Sequence, residues 1–198
     1  MVLKASVEPL PELAEFLAPF ASHFQRSEGR EDLERYSTGQ LSDLPRKNGD
    51  TIAEAIPGTN AQRIQELLTR IQWDEGAFNG QRVEMMRDEV RVGDGMLLLD
   101  DTGFAKQGSS SVGVAWQYSG TLGKVGNCQV AVTCVYADPA VSWPVNVRLY
   151  LPKEWTDDRQ RCAKAGVPED VVFQTKPEIA LDLVDEADRR QVPYKVIG

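Results

Sequence analysis

The sequence predicts an α+β or α/β protein in which a helical front portion leads into a mixed sheet with an antiparallel meander and a covering helix. Three observations carry that expectation. Apolar residues recur at helical spacing as far as about residue 92, Gly93-Asp94-Gly95 supplies a turn, and short β-branched and aromatic runs then replace the helical stripe. The expected division is a helical N-terminal domain over residues 1–92 and a sheet-bearing domain over residues 93–198.

Leu13, Phe16, Leu17 and Phe20 stand at the i, i+3, i+4 and i+7 positions of one buried helical stripe. Asp32 to Leu41 gives a second helical stretch. Thr51 to Ile56 gives a short third, ended by Pro57-Gly58, which removes an amide donor and permits a turn. Thr59 and Asn60 can each cap the next helix, where Ile64, Leu67, Leu68 and Ile71 repeat the stripe. A further helix runs through Val83, Met86 and Val90.

Met96 to Leu99 reads as a buried strand ending in Asp100-Asp101. Ser111 to Tyr118 and Gln129 to Tyr136 follow as strands, joined by the glycine-rich stretch Gly120 to Gly126. Val145 to Leu151 is the next, and Pro152 ends it because proline cannot donate to a ladder. From Lys176 onward Ala180, Leu183, Val184 and Ala187 form a new helical stripe, and Val192 to Ile197 reads as a returning strand. A meander, a helix and a returning strand is the order at the start of an RNase H-like fold.

The composition narrows the chemistry. At 198 residues with 41% hydrophobic content the chain can bury a real core. No apolar run reaches the length of a membrane span, and MVLKASVEPLPEL lacks the basic start and apolar middle of a secretory signal, so a cytoplasmic protein without membrane contact is expected. Cys128, Cys134 and Cys162 sit at no metal-ligand or redox spacing and are expected to be reduced and buried. His23, the single histidine, lies between Phe20 and Phe24 in a helical pattern, which leaves no material for a histidine-rich zinc site or a Ser-His-Asp triad. Catalysis, if present, rests on carboxylates. The net charge of −8 opposes indiscriminate nucleic-acid binding, although a short basic patch can work on an acidic protein.

Two adjacent carboxylates closing a buried strand invite attention, because an ionised carboxylate is costly to bury without a cation or donors. Successive side chains on a strand face opposite ways, so only one of Asp100 and Asp101 points into a given site and the other organises the turn. The bland alternative is that both are turn acids at a strand end. A phosphatase forming an aspartyl-phosphate is excluded, since its two acids are separated by one residue and these are adjacent.

The segment LLLDDTGFAKQGSSSVGVAWQYSGTLGKVGNCQVAV at 97–132 resembles the first catalytic segment of a bacterial insertion-sequence transposase of the DDE superfamily. The resemblance continues through LYLPKEWTDDRQRCAKAGVP and FQTKPEIALDLVDEA, and reaches back to LPRKNGDTIAEAI and LLTRIQWDEGAF. It implies an RNase H-like domain in which three carboxylates hold two divalent ions, Mg²⁺ or Mn²⁺, for in-line displacement at phosphorus. The first carboxylate falls in DDTG and is assigned to Asp100, with Asp101 in reserve as catalytic residue and metal ligand.

The resemblance places the next carboxylate just beyond VPYKVIG and a glutamate much further on. The chain is therefore expected to hold one position of three, to be catalytically incomplete, and to bind metal poorly by itself. Glu178, Asp182 and Asp185 are read as solvated helix-face acids. Lys106 and Lys124, implied by the resemblance, and Arg46 and Lys47 in the front domain are the residues expected to contact DNA phosphates; surface lysine is the plain alternative for the first two. Trp116, Tyr118 and Trp143 read as core or sheet-face aromatics rather than base-stacking platforms.

Three functions follow. One is a transposase lineage cutting and joining DNA at element ends, present here as a truncated, frameshifted or fragmentary product. Another is a non-catalytic module that binds DNA ends or pairs with a full-length transposase. The third is a plain α+β protein without a DNA role. A sheet lacking later strands and helices is expected to expose an apolar face and to self-associate, as a homo-oligomer or with a full-length partner.

Overall fold

A computed structural model describes residues 11–71, 73–90 and 93–198. The expected N-terminal signal-free stretch through Leu10, and the predicted helical extension over Arg91 and Val92, lie outside the described residues. The chain forms two compact units, dividing between Arg82 and Val83.

In the first unit, α1 (Pro11–Leu17) runs into a 3-10 turn (Ala18–His23), followed by α2 (Ser27–Leu41), α3 (Gly49–Ala55), α4 (Ala61–Thr69) and the start of α5 (Glu75–Glu89). Caps fix two of the starts. Asn48 accepts from the Thr51 amide at 3.0 Å and Asn60 from the Arg63 amide at 2.9 Å, satisfying donors that a helix start leaves free. Ile52, Ile56 and Ile64 are buried together, with Tyr36 and Leu44 against them. Gly39 is required by that packing, since a Cβ there would meet Ile52 Cγ2 at 2.5 Å.

Phe20, Phe24, Trp73 and Phe78 make an aromatic cluster, and the His23 ring lies 5.7 Å from Phe78 with its Nε2 buried and without a hydrogen-bond partner among the described residues. The histidine ring therefore packs among aromatic side chains. Asp32 is buried beside Arg63, 2.8 Å from its Nε, and burial pushes its carboxyl above the ordinary value more than the guanidinium pulls it down.

The second unit is a five-stranded sheet with one long helix on it. β1 (Gly95–Ala105), β2 (Ala115–Ser119), β3 (Lys124–Ala137) and β4 (Ser142–Tyr150) are followed by the short helices α6 (Lys153–Thr156) and α7 (Arg159–Lys164), then α8 (Lys176–Arg189) and β5 (Tyr194–Ile197). The order is β2-β3-β1-β5, with β4 also on β3; β1 is antiparallel to β3 and parallel to β5. Helices followed by a mixed sheet of meander, helix and parallel strand match the RNase H-like arrangement expected from the sequence.

The core lies between the sheet and α8. Leu97, Cys134, Tyr136 and Val145 from the strands are fully buried with Leu183 and Ala187 from the helix and Val83 and Met86 from α5. Thr175 and Glu178 form a reciprocal capping box that starts α8. The opposite face of the sheet is open: Met96 is 38% exposed, Leu98 39%, Phe104 49%, Val147 59% and Val196 52%. This is the apolar face expected from the sequence.

Several boundaries differ from expectation for local reasons. Residues 111–114 form a turn rather than a strand, with Gly113 at φ +73 and the Val114 amide bonded to the Ser111 carbonyl. β3 begins inside the glycine-rich connection, because Gly123 at φ +63 turns the chain and Ser119 pairs with Lys124. β4 starts before Val145 and accommodates Pro144 where the register shifts between Cys134 and Val135. All three cysteines are free and buried.

Two predictions follow from this core. Leu183→Ala removes a fully buried side chain and is expected to lower the unfolding free energy by about 2–5 kcal/mol in urea titrations of the sheet unit; a loss under about 1 kcal/mol would mean that α8 does not pack as described. Stability should also fall in alkali. Burial, with Glu186 nearby, raises the Cys134 thiol from 9.0 to about 11; burial and a bond to Asp138 raise Tyr136 from 10.0 to about 12; and the bond to Asp188, then burial, raises Tyr194 from 10.0 to about 12. The unfolded chain therefore releases these protons first, so stability is full below about pH 9 and is lost as pH climbs toward 12. Tyr136→Phe should flatten that loss in melting curves; an unchanged alkaline slope would refute the assignment.

Candidate functional site

β1 carries both candidate carboxylates, Asp100 and Asp101. Its residues alternate between the face covered by α8, which takes Leu97, Leu99 and Asp101, and the open face, which takes Met96, Leu98 and Asp100. Asp100 pairs in register with Thr133, whose hydroxyl donates to the Asp100 carbonyl at 3.1 Å. The Asp100 carboxylate is exposed, and its Oδ1 accepts the Asp101 amide at 2.8 Å. No cation lies within ion-pair distance of it among the described residues.

Asp101 faces the helix. Its Oδ2 lies 2.5 Å from Lys176 Nζ, at the first turn of α8, and the Lys176 ammonium also sits 5.6 Å from the Tyr150 ring. A polar network continues along the same helix. Arg148 pairs with Asp182 at 3.2 Å and closely with Glu186, Asn146 donates to Glu186, and Gln174 donates to Asp182 at 2.7 Å. Glu178 is held below the usual carboxylate range by the Thr175 amide and hydroxyl that it accepts from. So of the acids read as a solvated face, Asp185 is exposed, Glu178 is a cap and Asp182 is a partner of Arg148.

Gly103 explains the glycine of DDTG. A Cβ at this position would meet Ser119 Oγ at 2.1 Å, so only glycine lets the β2–β3 hairpin close onto β1. Ser119 itself is 1% exposed, and the Gly103 amide lies 3.4 Å from Thr121 Oγ1.

The loop after β1 is held from several sides. Asn127 donates to the Lys106 and Gly108 carbonyls at 3.0 and 2.7 Å, and Gln129 donates to Val112. The Trp155 indole donates to Val114 at 2.8 Å, while Arg161 stacks 3.7 Å from the Trp155 ring and donates to Ser109 at 2.9 Å. Trp155 and Arg161 stand in two short helices whose spacing carries no periodic signal, so the sequence alone does not mark them.

Of the residues expected to contact phosphate, Lys106 and Lys124 are exposed at the ends of strands in the sheet unit. Arg46 and Lys47 are exposed in the helical unit, where Lys47 donates to the Gln40 carbonyl at 2.7 Å. Trp143 is partly buried against the core, whereas Trp116 is 75% and Tyr118 60% exposed. Among the described residues no three His, Cys, Asp or Glu side chains converge to hold a metal ion. With Asp100 and Asp101 on opposite faces and Asp101 already matched by Lys176, these residues alone do not fit a two-metal centre.

Among the described residues no helix is long and apolar enough to cross a membrane. No solved structure matches the chain. It is 29% identical over 159 residues, 80% of its length, to a protein of Microchaete diplosiphon named a probable transposase for insertion sequence element IS701. The chain spans 39% of that relative's length. The family model described as DDE superfamily endonuclease matches residues 19–197, nearly the whole chain, and with the strand-borne Asp pair and RNase H-like order this places it: the chain belongs to the DDE superfamily endonuclease family.

Proposed function

We propose that this chain supplies part of the DNA-cutting and strand-joining machinery of an insertion-element transposase, contributing one carboxylate ligand and a DNA-binding surface. The observation that carries the proposal is the Asp100-Asp101 pair in the middle of β1 in a chain whose family match runs from residue 19 to 197. Divalent-metal chemistry is general in the superfamily. A complete Mg²⁺ or Mn²⁺ centre needs carboxylates besides these two, because the described residues gather no third.

Asp100 is the first choice of ligand, since its carboxylate is exposed and free of a cation among the described residues. Asp101 is the second reading, favoured by its ion pair, because Lys176 shows that this carboxylate already stands where a positive charge is stabilised. Lys106 and Lys124, with Arg46 and Lys47 in the helical unit, are proposed to meet DNA phosphates, and the helical unit is proposed to help bind element ends. A non-catalytic role, binding ends or pairing with a full-length transposase or another copy, is the alternative.

Gel retardation and plasmid nicking with Mg²⁺ or Mn²⁺ separate these readings. The chain should retard linear duplex at low salt, and Lys106→Ala and Lys124→Ala should each reduce the slope of log affinity against log salt by about 1. Nicking that disappears in Asp100→Ala but survives in Asp101→Ala supports the first ligand choice, and the reverse pattern the second. Retardation without nicking supports the non-catalytic role. Failure to retain any DNA at low salt would overturn the DNA reading altogether.

A further inference from the structure

We propose that Trp116 and Tyr118 form a stacking platform for unpaired bases at a DNA end, an inference that rests on the DNA reading above. Both side chains project from the same face of β2, two residues apart, and both are largely in solvent at 75% and 60% exposure. They are the two most exposed aromatics among the described residues, ahead of Phe104 at 49%, whereas Trp155 is 1% exposed and Tyr136 is fully buried. The partners of Trp116 and Tyr118 across the ladder, Asn127 and Val125, lie on the same open face and do not cover them.

The spacing suits a base. Residues two apart on a strand are separated by roughly 6.8 Å, twice the roughly 3.4 Å rise of stacked nucleotides, so one base fits between or beside the two rings. The β2–β3 hairpin that carries them is held rigid by the close approach of Ser119 to Gly103, which lowers the ordering cost of binding.

Charge identifies the occupant. The chain carries 30 acids and a net charge of −8, yet no Asp or Glu occurs between Asp101 and Asp138. That interval holds both aromatics and, as its only charged residues, Lys106 and Lys124. An apolar protein partner needs no such exclusion of negative charge, whereas a polyanion does. Exposed aromatics in a segment whose only charges are lysines are the chemistry of single-stranded nucleic acid, where every base offers a π-face and duplex bases do not.

The test compares binding of the whole chain to a fluorescent duplex with a short oligo-dT overhang and to the same duplex with blunt ends. The overhang should bind more tightly. Trp116→Ala and Tyr118→Ala should each weaken overhang binding by about 5-fold or more while leaving blunt-end binding unchanged. Trp116→Phe should retain most of the affinity, and the overhang should quench tryptophan fluorescence in the wild type but less in Trp116→Ala. Circular dichroism and melting curves check that the variants fold, which the exposure of both side chains favours. Equal affinity for the two duplexes, or equal losses on both, would overturn the platform while leaving the DNA reading intact. Loss of every DNA complex in the wild type would overturn both. A change of oligomeric state in Trp116→Ala, seen by light scattering without a change in overhang affinity, would assign the patch to a protein contact instead.

Discussion

Everything in the sheet unit depends on the docking of α8 against one face of β1 and β3. Ile179, Leu183 and Ala187 decide which face of the sheet is dry, and the two-residue period of β1 then decides the rest. Leu97 and Leu99 go inward, Asp101 follows them and meets Lys176, and Asp100 is left in solvent. A shift of one residue in the β1–β3 register would exchange the two carboxylates between the faces. The adjacency of two acids therefore puts one carboxylate on each face of the sheet.

The polar groups beneath α8 obey the same constraint. Asp101, Asp182 and Glu186 are partly buried anions, and each has a cation or amide against it in Lys176, Arg148, Gln174 or Asn146. Half-exposed pairs of this kind contribute little net stability, about 0–1 kcal/mol each, and their effect is mainly to fix orientation. The open face has no such compensation. It combines exposed apolar side chains with Asp100 and, toward the hairpin, the acid-free stretch that carries Trp116 and Tyr118.

Much of this was legible in the sequence wherever a period extends over several turns or strand residues. The stripe Leu183, Val184 and Ala187 gave α8, the change of period at Gly93-Asp94-Gly95 announced β1, and the Pro57-Gly58 break and Asn60 cap bounded α3 and α4. The burial of the three free cysteines was expected from spacings that suit neither a metal site nor a disulfide framework. What was not legible depends on distant parts of the chain. The Asp101–Lys176 pair joins residues 75 apart, and the short helices α6 and α7 are held by the Trp155 bond to Val114 rather than by any pattern of their own. The exposure of Trp116 was hidden for a related reason: alternation tells which residues share a face, but only the position of α8 tells which face is covered.

The pairing of β1 with β5 has a consequence for the order of folding. β1, β3 and β4 are close in sequence and can zip as a meander, whereas β5 must close a loop from Gly95 to Tyr194 before its first rung forms. During that interval one edge of β1 is a row of unsatisfied amides and carbonyls, open to any passing strand. Asp100 and Asp101 lie on β1 just past its rungs with Tyr194, Val196 and Ile197. Acidic side chains on a strand with an open edge make that edge a poorer template for pairing with a second copy, so a carboxylate that serves chemistry on a face also tempers the edge beside it.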